Sequence, residues 1–241
     1  MAYFKELVHY GDYVDVKVYH TMHQLDALPV HRRPAFRETS AAQEEVNRRN
    51  SVTKLRRLLV CNFDKGDLHI QLKYKRQKGQ PYRTEDEMRK DIAVFHRKMR
   101  AEYKKAGLEY KYVHVMETGK RGARHHHLVV PYIDVRIIQK HWPFALVTFT
   151  PLDGGDYRKL AAYLVKQTDE LFRQKKLMRQ RYNCSKGLIR PIVKRKKITR
   201  AATFKKLLRP PKGYILLRDT EETGVDRFGH LFYRYTLKKL E

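Results

Sequence analysis

The sequence predicts an α+β fold over residues 57–172, a central antiparallel sheet with helices packed on it, ferredoxin-like and RRM-like in layout. Three observations predict it. Period-2 and period-3.6 hydrophobic patterns alternate in the order β-α-β-β-α-β-α, the split βαβ arrangement with one helix appended. Two of the strands flank a tight basic turn, as in a hairpin. Hydrophobic residues make up 41% of the 241-residue chain, enough for one ordinary core.

Residues 1–56 read as an irregular Tyr- and His-rich extension of no evident role, in which His31-Arg32-Arg33-Pro34 breaks any regular element. Ser40 to Leu58 has helical character, with Ser40 as N-cap three residues ahead of Gln43. In the strand Asp67–Tyr74, Leu68, Ile70 and Leu72 face one way and His69, Gln71 and Lys73 the other. A turn at 79–82 precedes Thr84, which caps a helix to about Lys105. Ile92, Phe95, Met99 and Tyr103 form its apolar stripe, and Ala106-Gly107 ends it. Strands follow at Glu109–Glu117 and Arg124–Val130, joined by Thr118–Gly122. Then come a short helix over 134–142, a strand over 144–150, and a helix from Asp156 to about Lys176.

From Phe172 to Arg218 there is no acidic residue, while seventeen are Lys or Arg. Interleaved apolar residues such as Leu188, Ile192 and Phe204 argue that 173–241 packs in part and tracks a nucleic-acid backbone, rather than trailing as a solvated tail. It ends in a predicted hairpin over 213–237 with its turn near Gly224.

Charge narrows the partners. With 53 Lys and Arg against 26 Asp and Glu, the formal charge is +27, which points to a polyanion. No run of about 18 apolar residues suggests a membrane span, and the N-terminus has no secretory pattern. Two cysteines, Cys61 and Cys184, suit neither a zinc ribbon nor a disulfide scaffold, so a reducing cytoplasm is expected. Neither a P-loop nor a deaminase signature occurs, so no fused helicase and no small-molecule cofactor are expected.

The chemistry concentrates in His125-His126-His127. Alternation along a strand puts His125 and His127 on one face, where their rings can converge on a divalent ion, with His126 on the other. Mg²⁺ or Mn²⁺ also calls for an oxygen ligand. Glu117 ends the partner strand, beside His125 across the short hairpin. The second signal is Tyr163 with Lys166, three apart on a helix whose opposite stripe is Leu160, Ala161, Leu164, Thr168 and Leu171. A metal site beside a presented phenol, in a basic protein, suggests phosphodiester transesterification. Tyr163 would be the nucleophile and Lys166 would stabilise the phenolate or phosphotyrosine. Tyr157 precedes Tyr163 by six residues, about 600° of helix, and faces elsewhere. Basic residues expected at the nucleic acid are Lys120, Arg121, Arg124, Arg173, Lys194, Arg195, Lys196 and Lys197. Tyr74, Tyr110 and Tyr112 could stack bases.

These motifs resemble replication initiators of the HUH endonuclease superfamily, the rolling-circle Rep proteins of bacterial plasmids, integrative elements and small single-stranded DNA phages. His125-His126-His127-Leu128-Val129-Val130 matches the HUH strand, with a histidine where the family usually has a hydrophobic residue. Tyr163-Leu164-Val165-Lys166 matches the tyrosine motif, and Leu68–Tyr74 loosely matches the first motif. The resemblance implies a metal-dependent nicking and joining enzyme acting on a single-stranded origin, linear or hairpin. Its products are a 5′-phosphotyrosine and a free 3′-hydroxyl. A host polymerase and helicase are implied partners, in a bacterial cytoplasm. Motif order sets it apart from relaxases, whose tyrosine precedes the histidines. A single-tyrosine transposase and a non-catalytic ferredoxin-like nucleic-acid module are the alternatives.

Overall fold

A computed structural model describes residues 2–21, 41–75, 83–118, 123–168, 181–198, 210–226 and 229–240. The chain divides into two compact units, Met1–Ser40 with Arg190–Glu241, and Ala41–Ile189.

The central unit has the expected ferredoxin-like α+β fold. Its elements in chain order are α1 (Ala41–Asn62), β3 (Leu68–Lys73), α2 (Glu85–Lys105), β4 (Val113–Thr118), β5 (Arg124–Val130), α3 (Val135–His141), β6 (Thr148–Pro151), α4 (Arg158–Gln167) and β7 (Asn183–Cys184). They build one antiparallel sheet in the order β6-β3-β5-β4-β7. The helix expected from Thr84 starts there because Thr84 and Glu87 form a reciprocal capping box, Thr84 N–H donating to Glu87 Oε2 at 2.7 Å. It stops in a Schellman pair, Leu108 N–H to Tyr103 O at 2.9 Å and Gly107 N–H to Lys104 O at 3.1 Å.

Alternation along the strands sorts the sheet into two faces. Leu68, Ile70, Leu72, Leu128 and Val130 pack against Ile92, Phe95, Met99 and Tyr103 of α2 and Ile138 of α3. Val113, Val115 and Val129 pack on the other face against Leu55, Leu58 and Leu59 of α1 and Ala161, Leu164 and Val165 of α4. Removing one such side chain, for example Leu59→Ala, costs about 2–5 kcal/mol, because a close-packed site collapses only partly. The strand expected over 144–150 begins only at Thr148. Gln139 captures the segment before it, accepting from Val147 N–H at 2.9 Å and donating to Ala145 O at 3.2 Å.

The terminal unit differs from expectation. Residues 2–21 are not irregular: β1 (Ala2–Tyr10) and β2 (Tyr13–Thr21) form a hairpin. The Gly11-Asp12 loop makes this possible, since Gly11 takes a φ of 52° that a two-residue hairpin turn requires. With β8 (Ile192–Ile198), β9 (Tyr214–Val225) and β10 (Leu231–Lys239) they form a second antiparallel sheet, ordered β8-β1-β2-β10-β9. Val14, Val16, Tyr235 and Leu237 are the core of one face.

The boundaries expected after residues 56 and 172 therefore move to 40 and 189. At one end α1 packs on α4 within the central unit. At the other, Asn183 and Cys184 pair with β4 and extend its sheet. The segments expected as separate extensions, 1–56 and 173–241, instead share a sheet. The turn expected near Gly224 is displaced to 226–230, with Asp226 N–H donating to His230 O at 2.8 Å. Gly224 is a strand residue opposite Phe232, and a Cβ there would lie 2.7 Å from the ring's Cζ. Its lack of a side chain seats an aromatic rather than making a turn.

Candidate active site

Three strands and one helix bring the site together. On β5, His125 lies opposite Lys73 of β3 and Glu117 of β4, while His127 lies opposite Gln71 of β3 and Val115 of β4. His69, Gln71 and Lys73, the polar side of β3, thus share a face with both histidines and Glu117.

Glu117 joins the pair. Its Oε2 lies 2.6 Å from His127 Nε2 and 3.6 Å from His125 Nδ1. Burial pushes the Glu117 carboxyl upward, but His125 and His127 more than offset this and leave it lowered to about 2, an anion at any ordinary pH. His127 is fully buried, and its other nitrogen, Nδ1, lies 3.2 Å from Nε2 of His69. His69 is also buried; burial, then the neighbouring His127, lowers it to about 4.

Tyr163 comes from α4. The buried stripe Ala161, Leu164 and Val165 seats that helix on α1. Arg56 of α1 ties down the segment preceding it by an ion pair to Asp156 at 3.3 Å. Tyr157 anchors the helix start, donating from its phenol to Phe63 O at 3.0 Å, so this second tyrosine is a core residue. With its other side packed, α4 presents Tyr163, 38% exposed, over the histidine face. The Tyr163 ring stands edge-on to His127 at 5.5 Å and to His69 at 6.0 Å. Burial, then the Glu117 charge, holds its phenol above the ordinary value.

The side chain at the phenolic oxygen is Gln71, whose Nε2 donates to Tyr163 Oη at 3.4 Å. Lys166, expected in that role, is exposed a turn further along α4. His69 and Gln71 were absent from the sequence-derived site. Their signal was the alternation that put Leu68, Ile70 and Leu72 inward, which turns the intervening polar residues toward the histidines once β3 pairs with β5.

Among the described residues no group of three or more His, Cys, Asp or Glu side chains is arranged as a metal centre. Glu117 holds His127 Nε2 as a hydrogen-bonded pair. The donor set of two imidazoles and an ionised carboxylate nonetheless fits a divalent cation chemically, and all three side chains gather at one carboxylate oxygen.

His126 points to the opposite face and is fully buried. Its ring bridges Tyr74 Oη at 3.0 Å and His114 Nε2 at 2.9 Å, so it replaces a hydrophobic residue with a satisfied polar network. That face also takes up the three tyrosines expected to stack bases. Tyr74 packs on Trp142 and Phe144, Tyr110 hydrogen-bonds His96 at 2.9 Å, and Tyr112 stacks on His96 at 4.0 Å. They are core aromatics because their strand positions share the α2 side of the sheet.

Of the expected nucleic-acid residues, Arg124 starts β5 and donates to Thr118 Oγ1 at 2.6 Å. Lys120, Arg121 and Arg173 lie outside the described residues. Lys194, Arg195, Lys196 and Lys197 are exposed on β8, the edge strand of the terminal sheet. Arg195 is engaged by Glu6 at 2.5 Å. Lys196 lies opposite Lys5, and burial, then the Lys196 charge, lowers the Lys5 ammonium.

Residues 68–171 match a family model described as replication-associated protein, of the ORF2 type. No curated protein and no solved structure matches the chain.

Proposed function

Because residues 68–171 form a domain of the replication-associated protein family, a Rep-type assignment, we propose that this protein nicks and rejoins single-stranded DNA at a replication origin, with Tyr163 as nucleophile. The observation that carries this reading is the meeting of Tyr163 with His127 and Glu117. The phenol ring stands edge-on to His127, and its oxygen feels the carboxylate charge.

Tyr163 Oη attacks the scissile phosphorus. A P–Oη bond forms and the P–O3′ bond breaks. One proton leaves the phenol and one is taken up by the 3′ oxygen. One phosphodiester is exchanged for another, so the same residues run the reverse, joining reaction. Gln71 donates to Oη and stabilises negative charge there as the proton leaves. His125, His127 and Glu117 would hold Mg²⁺ or Mn²⁺, which supplies Lewis-acid polarisation of a non-bridging phosphate oxygen. Arg124, beside His125, adds positive charge at the mouth of the site.

Lys194, Lys196 and Lys197 hold the DNA backbone on β8. The like-charged pair Lys5 and Lys196, directly opposite across two strands, is unfavourable alone and is relieved by a bound phosphate. The released 3′-hydroxyl would prime a host polymerase, with a host helicase opening the duplex, in the cytoplasm. No helix among the described residues is long and apolar enough to cross a membrane.

The test is to incubate the protein with Mn²⁺ and a library of single-stranded oligonucleotides, and to map covalent adducts by mass spectrometry. An adduct on Tyr163 is expected. It should vanish in Tyr163→Phe, which retains oligonucleotide binding, and in EDTA. Undiminished nicking by Tyr163→Phe would refute the nucleophile assignment.

A further inference from the structure

His69 belongs to no motif that points to the site, yet it is the buried side chain joining the two halves of it. Its Nε2 lies 3.2 Å from His127 Nδ1, with the two rings within 16° of parallel. Its ring also meets the Tyr163 ring edge-on at 6.0 Å. On β3 it lies opposite Val129, one alternation step from Gln71, which lies opposite His127. At 7% exposure it leaves water little access to compete for the contact.

The chemistry of the contact has two solutions. Two imidazole nitrogens at hydrogen-bond distance need one proton between them. If His69 donates, His127 Nδ1 is the acceptor, and a neutral His127 carries its proton on Nε2, toward Glu117. If His127 donates from Nδ1, its Nε2 is left with a bare lone pair on the Glu117 side. Only the second state can bind a cation at Nε2. It requires a neighbour that accepts at the position His69 Nε2 occupies. His69 faces the nitrogen of His127 remote from Glu117, which places it behind the ligand and not among the ligands.

We propose that His69 is a positioning residue for the metal site. It accepts the Nδ1–H of His127, and so fixes the tautomer and ring orientation that turn His127 Nε2 toward the cation. Metal-ligating histidines generally need such a partner, and its removal weakens metal affinity about 10–100-fold. The unusual feature is that the partner is a second histidine, which also buttresses the nucleophile's ring. This inference rests on the metal reading of His125, His127 and Glu117 given above.

The experiment measures Mn²⁺ binding to the full chain by calorimetry, without DNA, for the wild type, His69→Phe, His69→Gln and His127→Ala. Circular dichroism monitors the fold. Wild type should bind Mn²⁺ and His127→Ala should not. His69→Phe, whose ring cannot accept, should bind about 10–100-fold more weakly. His69→Gln, whose amide oxygen can accept, should recover most of that loss. Equal affinity in His69→Phe and wild type overturns the positioning role while leaving the metal site standing. Failure of the wild type to bind Mn²⁺ removes the metal reading itself, and this inference with it. A second measurement needs no variant. In Mg²⁺-loaded wild type, ¹⁵N spectra should show the His69 proton on Nδ1. A proton on His69 Nε2 in that state overturns the proposal.

Discussion

Lowering the pH should destabilise the central unit well before its carboxylates are neutralised, and His96 shows why. It lies on α2, 7% exposed, with Nδ1 at 2.9 Å from Tyr110 Oη and its ring stacked on Tyr112. Burial, and then the Arg100 charge, lowers it to about 4. In the unfolded chain it returns to about 6.5. Above pH 6.5 it is neutral in both states and contributes no pH dependence. Below 6.5 the unfolded chain takes up a proton that the folded protein refuses, so stability falls until the folded form also protonates near pH 4. Each pH unit costs about 1.4 kcal/mol, so the full window is worth roughly 3 kcal/mol for this one residue. His114, lowered by burial and then by His126, acts in the same direction. The assay is urea unfolding of wild type and His96→Gln between pH 7.5 and 4.5. The glutamine can still bond Tyr110 but does not titrate. The difference in stability between the two proteins should be constant above pH 6.5. Below that, it should shift in favour of the variant by about 1 kcal/mol per pH unit. Parallel curves down to pH 4.5 would refute the assignment.

Two further outcomes follow from the geometry. His126→Leu, despite restoring an apolar residue to the strand, should destabilise the protein by about 1–3 kcal/mol in urea melts, because it strands the partners His114 and Tyr74 in the core. Its Mn²⁺ affinity should stay near wild type, since the ring faces away from His125 and His127. In fluorescence-anisotropy titrations, the double change Lys194→Ala and Lys196→Ala should weaken oligonucleotide binding and flatten its salt dependence by roughly two phosphate contacts. Arg195→Ala should cost less, because Glu6 already engages that guanidinium. A salt slope unchanged in the double variant would remove β8 from the interface.

The hairpin of β4 and β5 was readable locally. A two-fold alternation, a short basic turn and a glutamate at the strand end suffice to put Glu117 beside His125, and the register has them opposite each other. The capped helix from Thr84 was equally plain, because its signals lie within four residues of each other. The β1–β2 hairpin also had a local signal, a Gly-Asp pair between two Val- and Tyr-rich runs, which the surrounding histidines and charges obscured. The three tyrosines assigned to base stacking went wrong for a different reason. Aromatic residues beside basic ones look alike in sequence whether they face solvent or α2.

What the chain encodes by itself is periodic, because side-chain direction repeats every two residues in a strand and every 3.6 in a helix. That periodicity was enough to pair His125 with His127, to turn His126 away, and to leave Tyr163 on the unpacked side of its helix. Only the tertiary structure decided that β3 lies next to β5, which adds His69 and Gln71 to the site, and that α4 lies where Tyr163 reaches them. It alone also joined the two termini, through contacts such as Glu6 with Arg195 and Asp15 with Thr236. These contacts span 189 and 221 residues, and no local pattern records a pairing at such separation. They form because burying the apolar faces of both segments together is more favourable than leaving either in water.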